Sequence, residues 1–328
     1  MSKYVPMLLM MAVTFLNHCS AQSKTKQKTK IIAYCVPSTP VDSIPYHYLT
    51  HINYSFAIPA KTGDTLETLR NQDYVKALIE QSKKNNVKVF LSVGGWGIGD
   101  GGGDDTRFHK MAETEKGQDD FIISCMKMVN AFGFDGIDLD WEYPDPDHRS
   151  AADFTQLCKK LSKALKAANK ELTAAVVSEG KQAYGIEESV YPYFDWINIM
   201  SYDGDYGPKE LKHHSPYSMA VSNINFWLKE RKLPPHKCVL GLPFYAKKGF
   251  GNYGYSYKIL LKEGASPYDD YWNGHFYNGI FTIQNKTRFA MDMKLAGVMV
   301  WEMSHDVNNE LSLFKTIFET VHSKKIKK

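Results

Sequence analysis

The chain has 328 residues, 43% of them hydrophobic and 23% charged, a balance that excludes an extended disordered polymer and supports a large core. Its formal charge of +4 is set by the termini: residues 1–30 carry five lysines and no acid, residues 324–328 carry four lysines, and the stretch between holds 31 basic and 36 acidic residues. An acidic body with lysine-rich ends does not have the footprint of a nucleic-acid-binding protein.

In chain order, Met1 to Ala21 reads as a signal peptide: Lys3, an apolar run from Val5 to Leu16, then Cys-Ser-Ala before Gln22. That run is too short to span a bilayer comfortably and nothing comparable follows it. The expectation is an exported protein, periplasmic or secreted, without stable membrane insertion. A lipoprotein anchored through Cys19 is disfavoured by Asn17 and His18, which stand where small residues are usual. Residues 22–30 read as a basic flexible segment, 31–322 as one domain and 323–328 as a basic tail. Cys35, Cys125, Cys158 and Cys238 stand singly, without zinc-site spacing, and are expected to be buried as small apolar groups without disulfides.

From residue 31 onward, short β-rich runs alternate with longer amphipathic ones. Strands are predicted at Ile31–Val36, His51–Ala57, Lys88–Val93, Gly136–Trp141, Leu172–Ser178, Trp196–Tyr202, Cys238–Phe244 and Gly297–Trp301. Helical periodicity falls at Tyr74–Lys84, Phe121–Phe132, Ala151–Ala168, Met219–Arg231, Asn285–Leu295 and Asn309 to about His322, with Ser150 and Asp153 as a variant capping box. Eight strands alternating with helices predict an α/β fold, a (β/α)8 TIM barrel. A doubly wound sheet would call for a Gly-rich phosphate turn opening a helix after an early strand, and none is found. The Gly-rich stretch Gly94–Asp105 lacks a phosphate-loop ending and reads as a loop near the barrel mouth. Asp100, Asp104 and Asp105, and likewise Asp145 and Asp147, miss calcium-loop spacing, and His213-His214 shows no metal-ligand spacing. No metal and no cofactor are expected.

The most informative stretch is Asp135-Gly-Ile-Asp138-Leu-Asp140-Trp-Glu142-Tyr-Pro144. Strand alternation puts Asp138, Asp140 and Glu142 on one face and Ile137, Leu139 and Trp141 on the other. The apolar face suits the helices, so the acids line a barrel interior normally filled by branched apolar side chains. Poorly solvated like charges cannot all ionise, so the three must share protons. Glu142, nearest the open mouth, is then the general acid with a raised pKa, while Asp140 can pass a proton inward toward Asp138.

This stretch resembles the signature of glycoside hydrolase family 18 chitinases, Asp-x-x-Asp-x-Asp-x-Glu, with all four acids present at Asp135, Asp138, Asp140 and Glu142. Two further stretches agree in order. Leu91-Ser92-Val93-Gly94-Gly95-Trp96 is similar to the family's Ser-x-Gly-Gly at the end of the third strand, and Met200-Ser201-Tyr202-Asp203 to its Met-x-Tyr-Asp at the end of the sixth.

The resemblance implies a retaining, substrate-assisted hydrolysis of β-1,4-linked N-acetylglucosamine in chitin or chitooligosaccharides. The 2-acetamido oxygen attacks the anomeric carbon to give an oxazolinium ion while Glu142 protonates the leaving oxygen. Asp140 steadies the acetamide nitrogen, Tyr202 orients its carbonyl, Asp203 helps hold the group and Asp138 backs Asp140. Water then opens the ring with Glu142 as base. Trp301 resembles the tryptophan that floors the cleavage subsite; Tyr34, Phe56, Trp96, Met200 and Tyr245 are the other expected substrate contacts. Lys247 stands where many members have arginine, and lysine lacks the planar fork. Only about 50 residues separate strands seven and eight, too few for the large α+β insertion of many processive members, so a shallow, endo-acting groove on a monomer is expected. An endo-β-N-acetylglucosaminidase acting on N-glycans is the alternative enzyme. A chitin-binding lectin on an inactive barrel is the non-enzymatic one, against which Glu142 stands intact.

Overall fold

A computed structural model of the chain describes Met1 and residues 29–98, 103–204, 213–248 and 254–323. The predicted signal peptide, Cys19, most of the basic segment, Asp100 and residues 324–328 lie outside the described residues. No helix among the described residues is long and apolar enough to cross a membrane.

The eight expected strands form: β1 (Lys30–Cys35), β2 (His51–Ala57), β3 (Lys88–Gly94), β4 (Gly136–Asp140), β5 (Glu171–Val177), β6 (Trp196–Met200), β7 (Cys238–Pro243) and β10 (Gly297–Trp301). They close a barrel in the order β1-β10-β7-β6-β5-β4-β3-β2, every pairing parallel. The first strand starts at Lys30, within the segment read as flexible, because the Lys30 amide donates to Ala296 O (2.9 Å) and its ammonium lies 4.7 Å from the Trp196 ring centroid. The sixth ends at Met200, two residues early: the Ser201 and Tyr202 amides turn back to the carbonyls of Ile199 and Met200.

The helices run α1 (Gln72–Lys84), α2 (Thr106–Ala112), α3 (Glu115–Phe132), α4 (Ser150–Ala167), α5 (Tyr217–Asn225), α6 (Tyr257–Lys262), α7 (Ile280–Asp292) and α8 (Leu313–His322). Periodicity missed α2 and α6, whose seven and six residues are too short to show it. It also started α3 six residues late: Thr114 caps the Gly117 amide (3.0 Å), but the first turn is polar. The Ser150–Asp153 capping box does not form. Ser150 is the first helical residue and its hydroxyl accepts from the Asp145 amide (2.8 Å), while Asp153 accepts from Arg149 Nε (2.8 Å).

Two apolar layers result from the alternation along each strand. Outward residues such as Leu91, Val93, Ile137, Leu139 and Trp141 pack against Phe108, Phe121, Phe154 and Leu161 of the helices. Inside, Ile32, Tyr34, Phe90, Trp196, Val239 and Met299 plug the barrel. Full burial of side chains of this size contributes roughly 1.5–3 kcal/mol each, so the plug makes the barrel base a packed core. The four described cysteines are free and buried. Between Pro243 and Gly297 the described chain holds α6, a two-stranded hairpin of β8 (Tyr271–Trp272) and β9 (His275–Phe276), and α7, with no large α+β insertion.

Candidate active site

The register of β3, β4 and β5 sets Ser92 beside Asp138, Asp138 beside Thr173 and Gly94 beside Asp140. Asp138 is wholly buried and receives four donors from four different strands. Tyr34 Oη (2.6 Å) and Ser92 Oγ (2.9 Å) bond one oxygen; Thr173 Oγ1 (2.6 Å) and Asn198 Nδ2 (3.1 Å) bond the other. Side chains from β1, β3, β5 and β6 meet only on the barrel axis, so Asp138 points inward. Burial pushes its carboxyl above the ordinary range, and the four hydrogen bonds, all of which favour the anion, work against that rise.

Asp140 is also buried, but its Oδ1 has no hydrogen-bond partner among the described residues. Burial, then the charges of Glu142 and Asp138, push it well above the usual carboxylate range. Of the inner pair, Asp138 has the donors that stabilise an anion, so Asp140 is the more readily protonated.

β4 ends at Asp140, and the following turn carries Glu142 to a half-buried place at the mouth. Burial raises its carboxyl to about 7, helped by the Asp203 charge and opposed by hydrogen bonds from the Tyr143 hydroxyl and the Trp96 amide. Below that pH, Glu142 holds a transferable proton.

Gly94 and Gly95 let β3 run against this strand. Gly94 has φ +116°, and a Cβ there would lie 2.2 Å from Asp140 O; Gly95 has φ +90°, and its amide donates to the same carbonyl (2.9 Å). Gly94→Ala combines a left-handed backbone with overlap against main-chain atoms that cannot rotate away. It is expected to cost about 3 kcal/mol, read as a lower denaturant midpoint with unchanged slope.

Two strands further round the barrel, just beyond β6, Asp203 sits at φ +59°. Its Oδ1 accepts from Tyr245 Oη (2.6 Å), pairs with Lys247 Nζ (2.8 Å) and lies 3.5 Å from His214 Nδ1. Burial opposes its charge, but hydrogen bonds from His214, Lys247 and Tyr245, together with the lysine charge, hold the carboxyl down to about 2. Lys247 thus serves as a point charge for Asp203. Half-buried Tyr202 has its hydroxyl 3.9 Å from Met299 Sδ, a weak acceptor, and Met200 packs beside it against the interior plug.

The aromatic residues divide. Trp301 and Phe56 stack with ring centroids 5.8 Å apart and planes 23° apart, and Trp96 is 54% exposed at the mouth. Among the described residues, none of these three rings has a polar group committed to a carboxylate. Tyr34 does: it is buried, edge-on to Trp301 (5.6 Å), with its hydroxyl given to Asp138. Buried Tyr245 likewise gives its hydroxyl to Asp203. Both hold a carboxylate where a sugar-facing ring was expected.

Sequence reasoning assigned no role to Tyr143, Thr173, Asn198 or His214. Thr173 and Asn198 sit in strands whose inward positions are countable, so their meeting with Asp138 follows once the barrel register is known. Tyr143 was hidden because alternation no longer applies beyond Trp141. Among the described residues no group of three or more His, Cys, Asp or Glu is placed to hold a metal ion.

An eight-stranded parallel barrel thus carries a file of carboxyls from Asp138, wholly buried among four donors, to half-buried Glu142 at its mouth. Residues 19–306 match the family described as Glycosyl hydrolases family 18, and the chain belongs to that family. The Class V chitinase of Arabidopsis thaliana is 26% identical over 93% of this chain and 93% of its own length. Probable chitinase 10 of Drosophila melanogaster is 29% identical over 81% of this chain, which spans 14% of that protein's length. A solved chitinase from Bacteroides thetaiotaomicron has a TM-score of 0.78 at 27% identity, covering 90% of this chain and 97% of that chain.

Proposed function

We propose that this chain is an exported enzyme that hydrolyses β-1,4-linked N-acetylglucosamine polymers, chitin or chitooligosaccharides, with retention of configuration and with Glu142 as general acid and base. The observation that carries this reading is the carboxyl file: Asp138 held by four donors, Asp140 with a partnerless oxygen, and Glu142 raised to about 7 at the mouth. A protonatable carboxyl at the mouth, backed by the buried Asp138–Asp140 pair, suits a reaction in which the substrate supplies its own nucleophile.

The sugar at the cut site rests over Trp301, and its acetamide turns down into the barrel. There the acetamide oxygen faces the anomeric carbon, with the Tyr202 hydroxyl orienting the carbonyl. The acetamide nitrogen keeps its proton and donates it as a hydrogen bond to Asp140, whose partnerless Oδ1 accepts it once Asp140 has released its own proton inward. That release needs a lone pair on Asp138, which the rotatable hydroxyls of Ser92 and Thr173 can vacate while Asn198 and Tyr34 keep their bonds. Glu142 gives its proton to the departing glycosidic oxygen, then takes one from the water that opens the oxazolinium ring. The short stretch between β7 and β10 leaves the groove shallow, which suits endo cleavage.

Incubation with chitin oligomers of four to six sugars, with products read by mass spectrometry, is expected to give mainly the disaccharide. Intact oligomers alongside released N-glycans would overturn the substrate assignment. Because Glu142 acts while protonated and its pKa is raised to about 7, kcat/KM is expected to hold below that pH and fall about tenfold per unit above it. A profile flat to pH 9 would remove Glu142 from the proton-donating role.

A further inference from the structure

Lys286 lies in α7 and is completely buried. Its Nζ donates to Ser215 O (2.8 Å), Ser215 Oγ (2.7 Å) and Asn278 Oδ1 (2.7 Å). All three acceptors are neutral, and no ion pair to Lys286 occurs among the described residues. Asp270, whose charge acts on it from a distance, is occupied by the Gly279 amide and the Thr282 hydroxyl. A buried ammonium without a carboxylate is an expensive way to stabilise a helix. Burial presses its pKa down to about 7, and an apolar residue would fill the same space at lower cost.

What the lysine holds explains the expense. Asn278 Nδ2 also donates to Ser215 O (2.8 Å), so two side chains grip one serine. Ser215 Oγ in turn donates to Ser201 O (2.7 Å), the carbonyl directly before Tyr202. Next to Ser215, His214 presents its carbonyl to the Gly204 amide (2.9 Å) and its ring to Asp203. The segment 213–215 therefore brackets Tyr202 and Asp203 from both ends, and Asp203 needs bracketing because it sits in the left-handed region.

We propose that Lys286 is a positioning residue for the Tyr202–Asp203 turn, acting through Ser215 to hold the two side chains that meet the substrate's N-acetyl group. The assignment of that group to Tyr202 and Asp203 rests on the proposed function; the mechanical link through Ser215 does not. Three protons on a tetrahedral head fix three acceptors in space, which a shorter or planar side chain cannot reproduce. The strap thereby limits the freedom of a catalytic tyrosine from more than one residue away, where a shift of about 1 Å can cost on the order of 100-fold in rate.

The test uses Lys286→Met and Ser215→Ala in the full chain. Ser215→Ala removes one hydroxyl and leaves Lys286 its bonds to Ser215 O and Asn278, but breaks the link to Ser201 together with the lysine's bond to Oγ. In Ser215→Ala, kcat on chitin oligomers is expected to fall about tenfold with KM changed less than about threefold, the signature of a lost transition-state contact. Hydrogen exchange at the Gly204 amide is expected to speed up at least tenfold in both variants while global protection in β3 and β4 is kept. Wild-type kcat together with wild-type Gly204 exchange in folded Ser215→Ala would overturn the proposal, whatever Lys286→Met does. If the wild-type protein leaves chitin oligomers intact, the substrate reading fails, and Gly204 exchange alone decides the positioning role.

Discussion

Glu142→Gln is expected to slow turnover of chitin oligomers at least ~100-fold while leaving their affinity close to that of the wild type. Glutamine keeps the shape of a protonated glutamate and can still take part in the hydrogen bonding offered by Tyr143 and the Trp96 amide. What it lacks is the proton it could release and, in the second half-reaction, the base that would accept one from water. The loss therefore appears in both steps and cannot be recovered by raising substrate concentration. In free-energy terms, 100-fold is about 2.7 kcal/mol of transition-state stabilisation. Isothermal titration with an oligomer gives the affinity and mass spectrometry gives the rate. The pH profile supplies a second check, because the fall above about 7 assigned to Glu142 should vanish from whatever activity remains. Equal turnover by the two proteins, or a retained alkaline fall in the variant, would place the proton donor elsewhere.

How much of this site was legible in the sequence depends on how each residue is placed. Asp138 and Asp140 follow from period-two alternation, and the structure puts them inward, with Ile137 and Leu139 in the outer layer. Trp141 continues that pattern, stacked on Phe108 at 5.1 Å. Gly94 and Gly95 are the glycines of the Ser-x-Gly-Gly stretch, and the approach of Asp140 O gives the reason for them. Properties that come from closing the barrel were not legible. No local pattern says that Tyr34 and Thr173, 139 positions apart in the chain, will meet on opposite oxygens of one carboxylate, because that depends on the stagger of strands around the axis. The same holds for Tyr245: an aromatic at a strand end looks like a sugar platform until Asp203 is seen to take its hydroxyl. Helix α3 shows the other kind of limit, since its polar first turn has a cap but no apolar period.

Asp140→Asn is the change that separates the inner relay from the proton donor. Asparagine fits the same space and can still face an acetamide, but it cannot become an anion. In the resting enzyme this matters little, because burial and the charges of Glu142 and Asp138 already keep Asp140 protonated and neutral. Once the acetamide nitrogen gains positive character, the aspartate can shed its proton toward Asp138 and present a full charge, an interaction made only in the transition state. The expected result is a fall of about 100-fold in kcat with KM within about threefold of the wild type. The accompanying pH profile is also fixed. Because Asp140 is already neutral while Glu142 titrates, a neutral amide in its place removes no charge, and the alkaline fall in kcat/KM should stay near pH 7. A fall in kcat accompanied by a displaced alkaline limb would mean that Asp140 carries charge in the resting enzyme. An unchanged kcat would mean that Asp140 never carries charge during the reaction, and the relay would then reduce to a set of buried hydrogen bonds around Asp138.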